Sequence, residues 1–175
     1  MPLPLVILGS ARPDGETRRA VELAFPPGTA ELVVLPNFSI GGYDYQHFNA
    51  NDAFGHIAPK MAEADSIVFA TPVYWYAMSA PLKIFFDRLT DMTENLKALG
   101  KSLKGKSVWV IATGTENVLP EGFEVPFART AGYFGMTYRG CAYLYTGTDR
   151  ARRADTEVAL VRFGENIIIS SKKTA

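Results

Sequence analysis

"LVILGSARPDGETRRA", Leu5 to Ala20, is the stretch whose reading decides the fold. A continuous apolar run ends at Gly9-Ser10, a short polar loop carries Arg12, and a helical stripe of Ala20, Val21, Ala24 and Phe25 follows. Apolar runs that do not alternate in polarity suit strands buried on both faces, as in parallel sheets. The loop between has two readings. It is a surface turn, or it is an anion cradle in which Ser10, Thr17 and the loop amides donate hydrogen bonds, the helix start adds its positive end, and Arg12 adds a fixed charge. Taken alone, the loop leaves both open.

The run Leu3 to Leu8 has counterparts at Glu31 to Leu35, Ser66 to Ala70 and Ser107 to Ala112, with Thr137 to Tyr145 as a fifth, more mixed strand for a sheet edge. Helical spacing fills the gaps. Phe54, Ile57, Ala58 and Met61 form one stripe, which Pro59 is expected to kink or shorten. Leu82, Phe85, Phe86 and Leu89 follow Pro81. Phe127, Ala131 and Phe134 lie between Pro126 and Gly135, and Leu160, Gly164, Ile167 and Ile168 line a C-terminal helix. Strands alternating with helices predict a doubly wound α/β fold with a five-stranded parallel sheet, formed as one domain over residues 1–175. The longest irregular stretch, Pro36 to about Asn51, has the length of a functional loop.

Composition narrows the function. The chain has 175 residues, with 18 Lys plus Arg against 18 Asp plus Glu, so its formal charge offers nucleic acid no basic footprint. No apolar run approaches a bilayer span, and "MPLPLVILGS" lacks the basic start and long apolar core of a secretory signal. Cys141 is the single cysteine, which excludes an intrachain disulfide or a CxxC pair. A cytoplasmic protein is the expectation.

In doubly wound folds ligands bind beyond the carboxyl ends of the strands. Three segments are expected to meet there: "GSARPDGET" (9–17), "TPVYWYAMSA" (71–80) and "TGTENVLPEG" (113–122). The second places Tyr74, Trp75 and Tyr76 just past a buried strand, where aromatic rings suit a flat apolar ligand or else pack under a neighbouring loop or partner. These segments resemble the NADPH-dependent FMN reductase family of the flavodoxin-like superfamily. "TPVYWYAMSAPLKIFFDRLTD" is the most specific match. "GSARPDGET", "LKGKSVWVIATGT" and "PFARTAGYFGMTYRG" extend the resemblance over nearly the whole chain. The resemblance implies a strand order of 2-1-3-4-5, and commonly a dimer or higher homo-oligomer. It implies that Ser10, Arg12 and Thr17, with Gly15 and Glu16 in the same loop, surround an FMN phosphate. Pro72, Val73, Tyr74 and Trp75 would line the isoalloxazine, largely through backbone, and Thr113 and Gly114 would close its other side. Glu16 departs from the Asn or Ser that relatives often carry. A carboxylate pointing inward beside a phosphate is repulsive, so Glu16 is expected to face solvent.

Other motifs lead elsewhere. "GKSLKGKS" (100–107) matches the P-loop pattern but precedes a strand instead of following one, so it reads as a solvated basic turn. His47, Asp52 and His56 have no spacing that justifies a metal site. Cys141 reads as a small buried hydrophobe. With no acid–base pair in evidence, the chemistry belongs to a cofactor. The resemblance implies hydride transfer from NADPH or NADH to FMN, and then electron transfer to a small-molecule acceptor such as a flavin or quinone. A flavodoxin-type electron shuttle is the alternative, disfavoured by the neutral charge, and a flavin-free binding domain is a third. Phe38, Tyr43, Tyr45 and Phe48, together with the adjacent Phe85 and Phe86, suggest an interface in which one of the two phenylalanines faces a partner.

Overall fold

The computed structural model describes residues 2–12 and 14–173. Five strands, β1 (Leu5–Leu8), β2 (Glu31–Val34), β3 (Ser66–Pro72), β4 (Ser107–Gly114) and β5 (Thr137–Tyr145), pair in parallel in the order β2-β1-β3-β4-β5. This is the flavodoxin-like arrangement of a doubly wound sheet. The helices are α1 (Glu16–Ala24), α2 (Phe54–Glu63), α3 (Ala80–Arg88), α4 (Lys97–Ser102), α5 (Val125–Tyr133) and α6 (Arg150–Lys173).

The twofold period of each strand divides its side chains between two cores. Leu5, Ile7, Ile67, Phe69, Val108 and Val110 point to the face covered by α2, α3 and α5. Val6, Leu8, Val68, Ala70 and Ile111 point to the face covered by α1 and α6. Burial on both faces explains why these runs read as continuous rather than alternating. On the second face α1 and α6 touch backbone to side, because Gly164 sits against the Ala24 carbonyl with no room for a Cβ.

Several boundaries differ from the sequence reading. β1 begins at Leu5, while β3 and β4 run on to Pro72 and Gly114, since each finds a ladder partner there. α2 passes through Pro59 without ending. Phe54, Ile57, Ala58 and Met61 are all buried along its length, which offsets the single ladder bond that proline removes. The basic turn from Gly100 is half helix, because α4 includes Gly100 to Ser102, and the rest does precede β4. Lys106 lies there, at the amino end of the sheet, donating to the Ala64 carbonyl at 2.7 Å.

Phe85 and Phe86 both pack against the core, Phe86 only partly buried. Phe85 is fully buried against Phe54, and Phe86 packs edge-on to Phe69 and Phe127, at 4.8 and 5.3 Å between ring centres. Tyr45 and Phe48 do remain exposed.

The long loop after β2 is pinned by one residue. Arg88, at the end of α3, is 2 % exposed. Its Nε donates to Asp91 Oδ2 at 2.7 Å, Nη1 donates to Asp52 and to the Gly41 carbonyl, and Nη2 donates to the Asn49 carbonyl. The guanidinium stacks 4.9 Å over the Phe54 ring. Asp52, considered above beside the histidines, is thus the partner of an arginine.

Candidate active site

The carboxyl ends of β1, β3 and β4 open into a cleft of about 400 Å³. Ten of the expected residues line it: Ser10, Arg12, Gly15, Glu16, Thr17, Pro72, Val73, Tyr74, Thr113 and Gly114. The eleventh, Trp75, lines an adjoining hollow of about 210 Å³ that shares Val73, Gly114 and Thr115 with the first. The two form a continuous trough.

At one end stands the loop that opened the sequence reading. β1 leads into it through Gly9, whose amide donates to the Ala70 carbonyl at 2.8 Å and whose carbonyl accepts the Ser79 hydroxyl. A Cβ on Gly9 would meet Leu82 Cβ at 2.5 Å, so only glycine lets the loop pass α3 this closely. Ser10 is buried and shapes the loop. Its Oγ donates to the Arg12 carbonyl at 3.1 Å and accepts the Arg12 amide at 3.3 Å, so its single hydrogen is taken in this arrangement. The Arg12 carbonyl also accepts the Gly15 amide, which closes the turn. Pro13 lies outside the described residues.

Gly15 is the N-cap of α1, and no side chain caps that helix. The amides of the first helical turn have no carbonyl one turn back to bind, so these donors open toward the cleft. Arg12 lines the same end, with its guanidinium in no ion pair among the described residues. Thr17 Oγ1 lies 2.8 Å from Thr113 Oγ1, both buried. One hydroxyl donates to the other, and the remaining hydroxyl hydrogen has no partner among the described residues. The donor set is that of an anion site: one cation, uncapped amides and a spare hydroxyl. Glu16 also lines the cleft, and its carboxylate is paired with α6. Both its oxygens accept from Arg153 Nη2 on α6, at 2.8 and 2.7 Å.

At the other end β3 passes into a two-residue hairpin. Tyr74 and Ala77 exchange both backbone hydrogen bonds, at 2.9 and 3.1 Å, and Trp75 and Tyr76 occupy the turn with φ of 48° and 64°. Consecutive left-handed residues are the signature of a type I′ turn, normally built from Asn and Gly. Two aromatic side chains here cost about 1–2 kcal/mol each. Trp75 is nevertheless 91 % exposed, so burial of its ring does not repay the strain. Such outliers cluster where a ligand is gripped. The amides of Trp75, Tyr76, Thr115 and Glu116 make no backbone hydrogen bond among the described residues and surround the hollow.

Thr115, Glu116 and Pro120, from the expected third segment, also line the trough, as do Tyr143 and Thr146, which were not anticipated. Burial pushes the Tyr143 phenol up to about 12, so it stays protonated while donating to the Glu116 carbonyl at 2.9 Å. No local pattern marks Tyr143 or Thr146. They arrive because β4 and β5 end side by side, Gly114 opposite Tyr145. A larger hollow of about 580 Å³ lies elsewhere, between α4 and the end of α5. It is shallow, it is lined by Lys97, Lys101 and Lys104 as well as apolar residues, and it lies away from the carboxyl ends of the strands, so size does not identify the site here.

The family description of NADPH-dependent FMN reductases matches residues 4–118, about two thirds of the chain. The chain belongs to that family. The matched span runs from β1 into the loop after β4 and so takes in the first two segments of the trough and the start of the third. Among curated proteins the chain is similar to YwqN of Bacillus subtilis, by name an NAD(P)H-dependent FMN-containing oxidoreductase. The identity is 28% over 145 residues, covering 77% of this chain and 80% of that one. It is also similar to an FMN-dependent NADH:quinone oxidoreductase of Burkholderia thailandensis, 35% identical over 105 residues, or 54% of this chain and 53% of that one. Among solved structures it resembles the Trp repressor binding protein of Bacillus subtilis, with a TM-score of 0.73 and 24% identity over 91% of this chain and 96% of that one, a likeness of fold. In this family's terms, β5, α6 and Arg153 lie beyond the matched span.

Proposed function

We propose that the chain is an FMN-dependent NAD(P)H oxidoreductase that holds FMN in this trough and passes electrons from NADPH or NADH to a small acceptor such as a quinone or flavin. The supporting observation is one continuous trough with an anion site at one end and a strained aromatic hairpin with free amides at the other. An isoalloxazine, when bound, supplies the hydride and electron transfer. The protein's own residues supply position and field. Arg12 and the α1 amides hold a phosphate, and Thr17 and Thr113 offer the spare hydroxyl beside it. Pro72, Val73, Tyr74 and Gly114 form the apolar walls, and the turn amides of Trp75 and Tyr76 with those of Thr115 and Glu116 point donors at a polar ring edge. The Trp75 ring, left in solvent, is free to cover whatever enters the open side.

FMN and riboflavin titrations of wild type and Arg12→Ala test the reading. FMN should bind the variant more weakly by about 1.5–3 kcal/mol, the worth of a charge-assisted contact, while riboflavin binds both alike. Unchanged FMN affinity would remove Arg12 from the site. Steady NADPH oxidation with a quinone, against bound flavin without turnover, separates the reductase from an electron shuttle.

A further inference from the structure

Glu16 places a carboxylate at the first position of the very helix whose amides form the anion site. Left free, it would lie among the donors and repel any phosphate there. It is instead held from outside the family-matched span. Arg153, in the first turns of α6, engages both Glu16 oxygens through Nη2, and its Nε reaches Glu157 Oε1 at 3.4 Å. Glu157 also takes Arg19 Nη2 at 2.6 Å, and Arg19 Nη1 stands 3.6 Å from Glu16. Two carboxylates and two guanidiniums form a closed, neutral ring joining α1 to α6, with the Arg153 side chain only 30 % exposed. The Glu16 and Glu157 carboxylates hold the Arg153 guanidinium above its usual pKa, so Arg153 stays protonated.

We propose that Arg153 is a positioning residue for phosphate recognition: it draws the Glu16 carboxylate to the α6 side of the trough, so that α1 presents its uncapped amides to a phosphate in spite of an acidic first residue. The inference rests on the FMN reading above. It makes cofactor affinity depend on a residue that touches no ligand, and it predicts a distinctive epistasis. Arg153→Ala releases Glu16 toward the phosphate and should weaken FMN binding about tenfold at low salt, less at high salt. Glu16→Gln alone removes a negative charge and keeps Arg153, so FMN should bind at least as tightly as to wild type. The double variant Glu16→Gln/Arg153→Ala should recover affinity to within about threefold of wild type. Riboflavin, which has no phosphate, should bind all four proteins alike, which also verifies that each is folded.

Fluorescence titration of FMN and riboflavin at two salt concentrations reads each case. Equal weakening of both flavins by Arg153→Ala would make Arg153 merely structural and overturn the proposal. So would FMN weakening that Glu16→Gln fails to rescue, since Arg153 would then act by its own charge. Those results leave the FMN assignment intact, whereas a wild type that binds neither flavin overturns both.

Discussion

Arg88 offers the sharpest test of how the fold is held. Replacing it with methionine keeps most of the stem that lies on Phe54 and removes the guanidinium. Asp91 and Asp52 then lose their ion-pair partner, and the Gly41 and Asn49 carbonyls lose their donor. Breaking a buried ion pair by removing one member costs about 3–5 kcal/mol, chiefly because a desolvated charge is left behind. Asp52 retains amide bonds from Gly41 and Phe54, so its charge is not wholly abandoned. For a chain of this size the loss corresponds to a Tm about 6–20 °C lower. Arg88→Lys keeps the charge but not the planar fork, and should fall between. Urea unfolding followed by circular dichroism at neutral pH measures the difference, and limited proteolysis should cut the released segment between Gly41 and Asp52. The pH dependence has a definite sign. Burial alone would raise the Asp52 carboxyl, but the Arg88 hydrogen bond and the two amides hold it below its usual value. Its contribution is therefore complete at neutral pH, and is lost only as acid protonates it, below the ordinary aspartate value of about 4. The gap between wild type and Arg88→Met should narrow there. An Arg88→Met protein within about 1 kcal/mol of wild type at pH 7, with the loop still protease-resistant, would refute the clamp.

Trp75→Asn should stabilise the protein by about 0.5–1 kcal/mol, because asparagine accepts the left-handed turn position and almost no ring burial is lost, while raising KM for a quinone acceptor. A loss of stability in thermal unfolding would show the ring to be part of the fold. Gly164→Ala should destabilise by about 1–3 kcal/mol in urea, since its methyl would strike the Ala24 carbonyl across the α1–α6 contact. Lys106→Ala should leave FMN affinity unchanged and cost about 1 kcal/mol through the unpaired Ala64 carbonyl, and a change in flavin titration would contradict its placement at the far end of the sheet.

Much of the architecture was legible along the chain because each strand carries its own evidence. A run such as Ile67 to Ala70, apolar at every position, has one stable home, a strand covered on both sides, and helices of the observed spacing are the available cover. The three loops of the trough were legible for the same reason: each follows directly from a strand whose carboxyl end must lie at one edge of the sheet. The path of each side chain beyond that edge is not a local property. Phe85 and Phe86 sit side by side in sequence, and only the placement of Phe54 beside one and of Phe69 and Phe127 beside the other gives both a core contact. Arg88 looks like any charged residue at a helix end until the loop folds over it. Glu16 reads as a threat to phosphate binding until α6, over 130 residues later, delivers Arg153 to its carboxylate. Sequence determines these partners only through the packing of whole elements, because a charge pair depends on separation in space and a helix face on what lies opposite it.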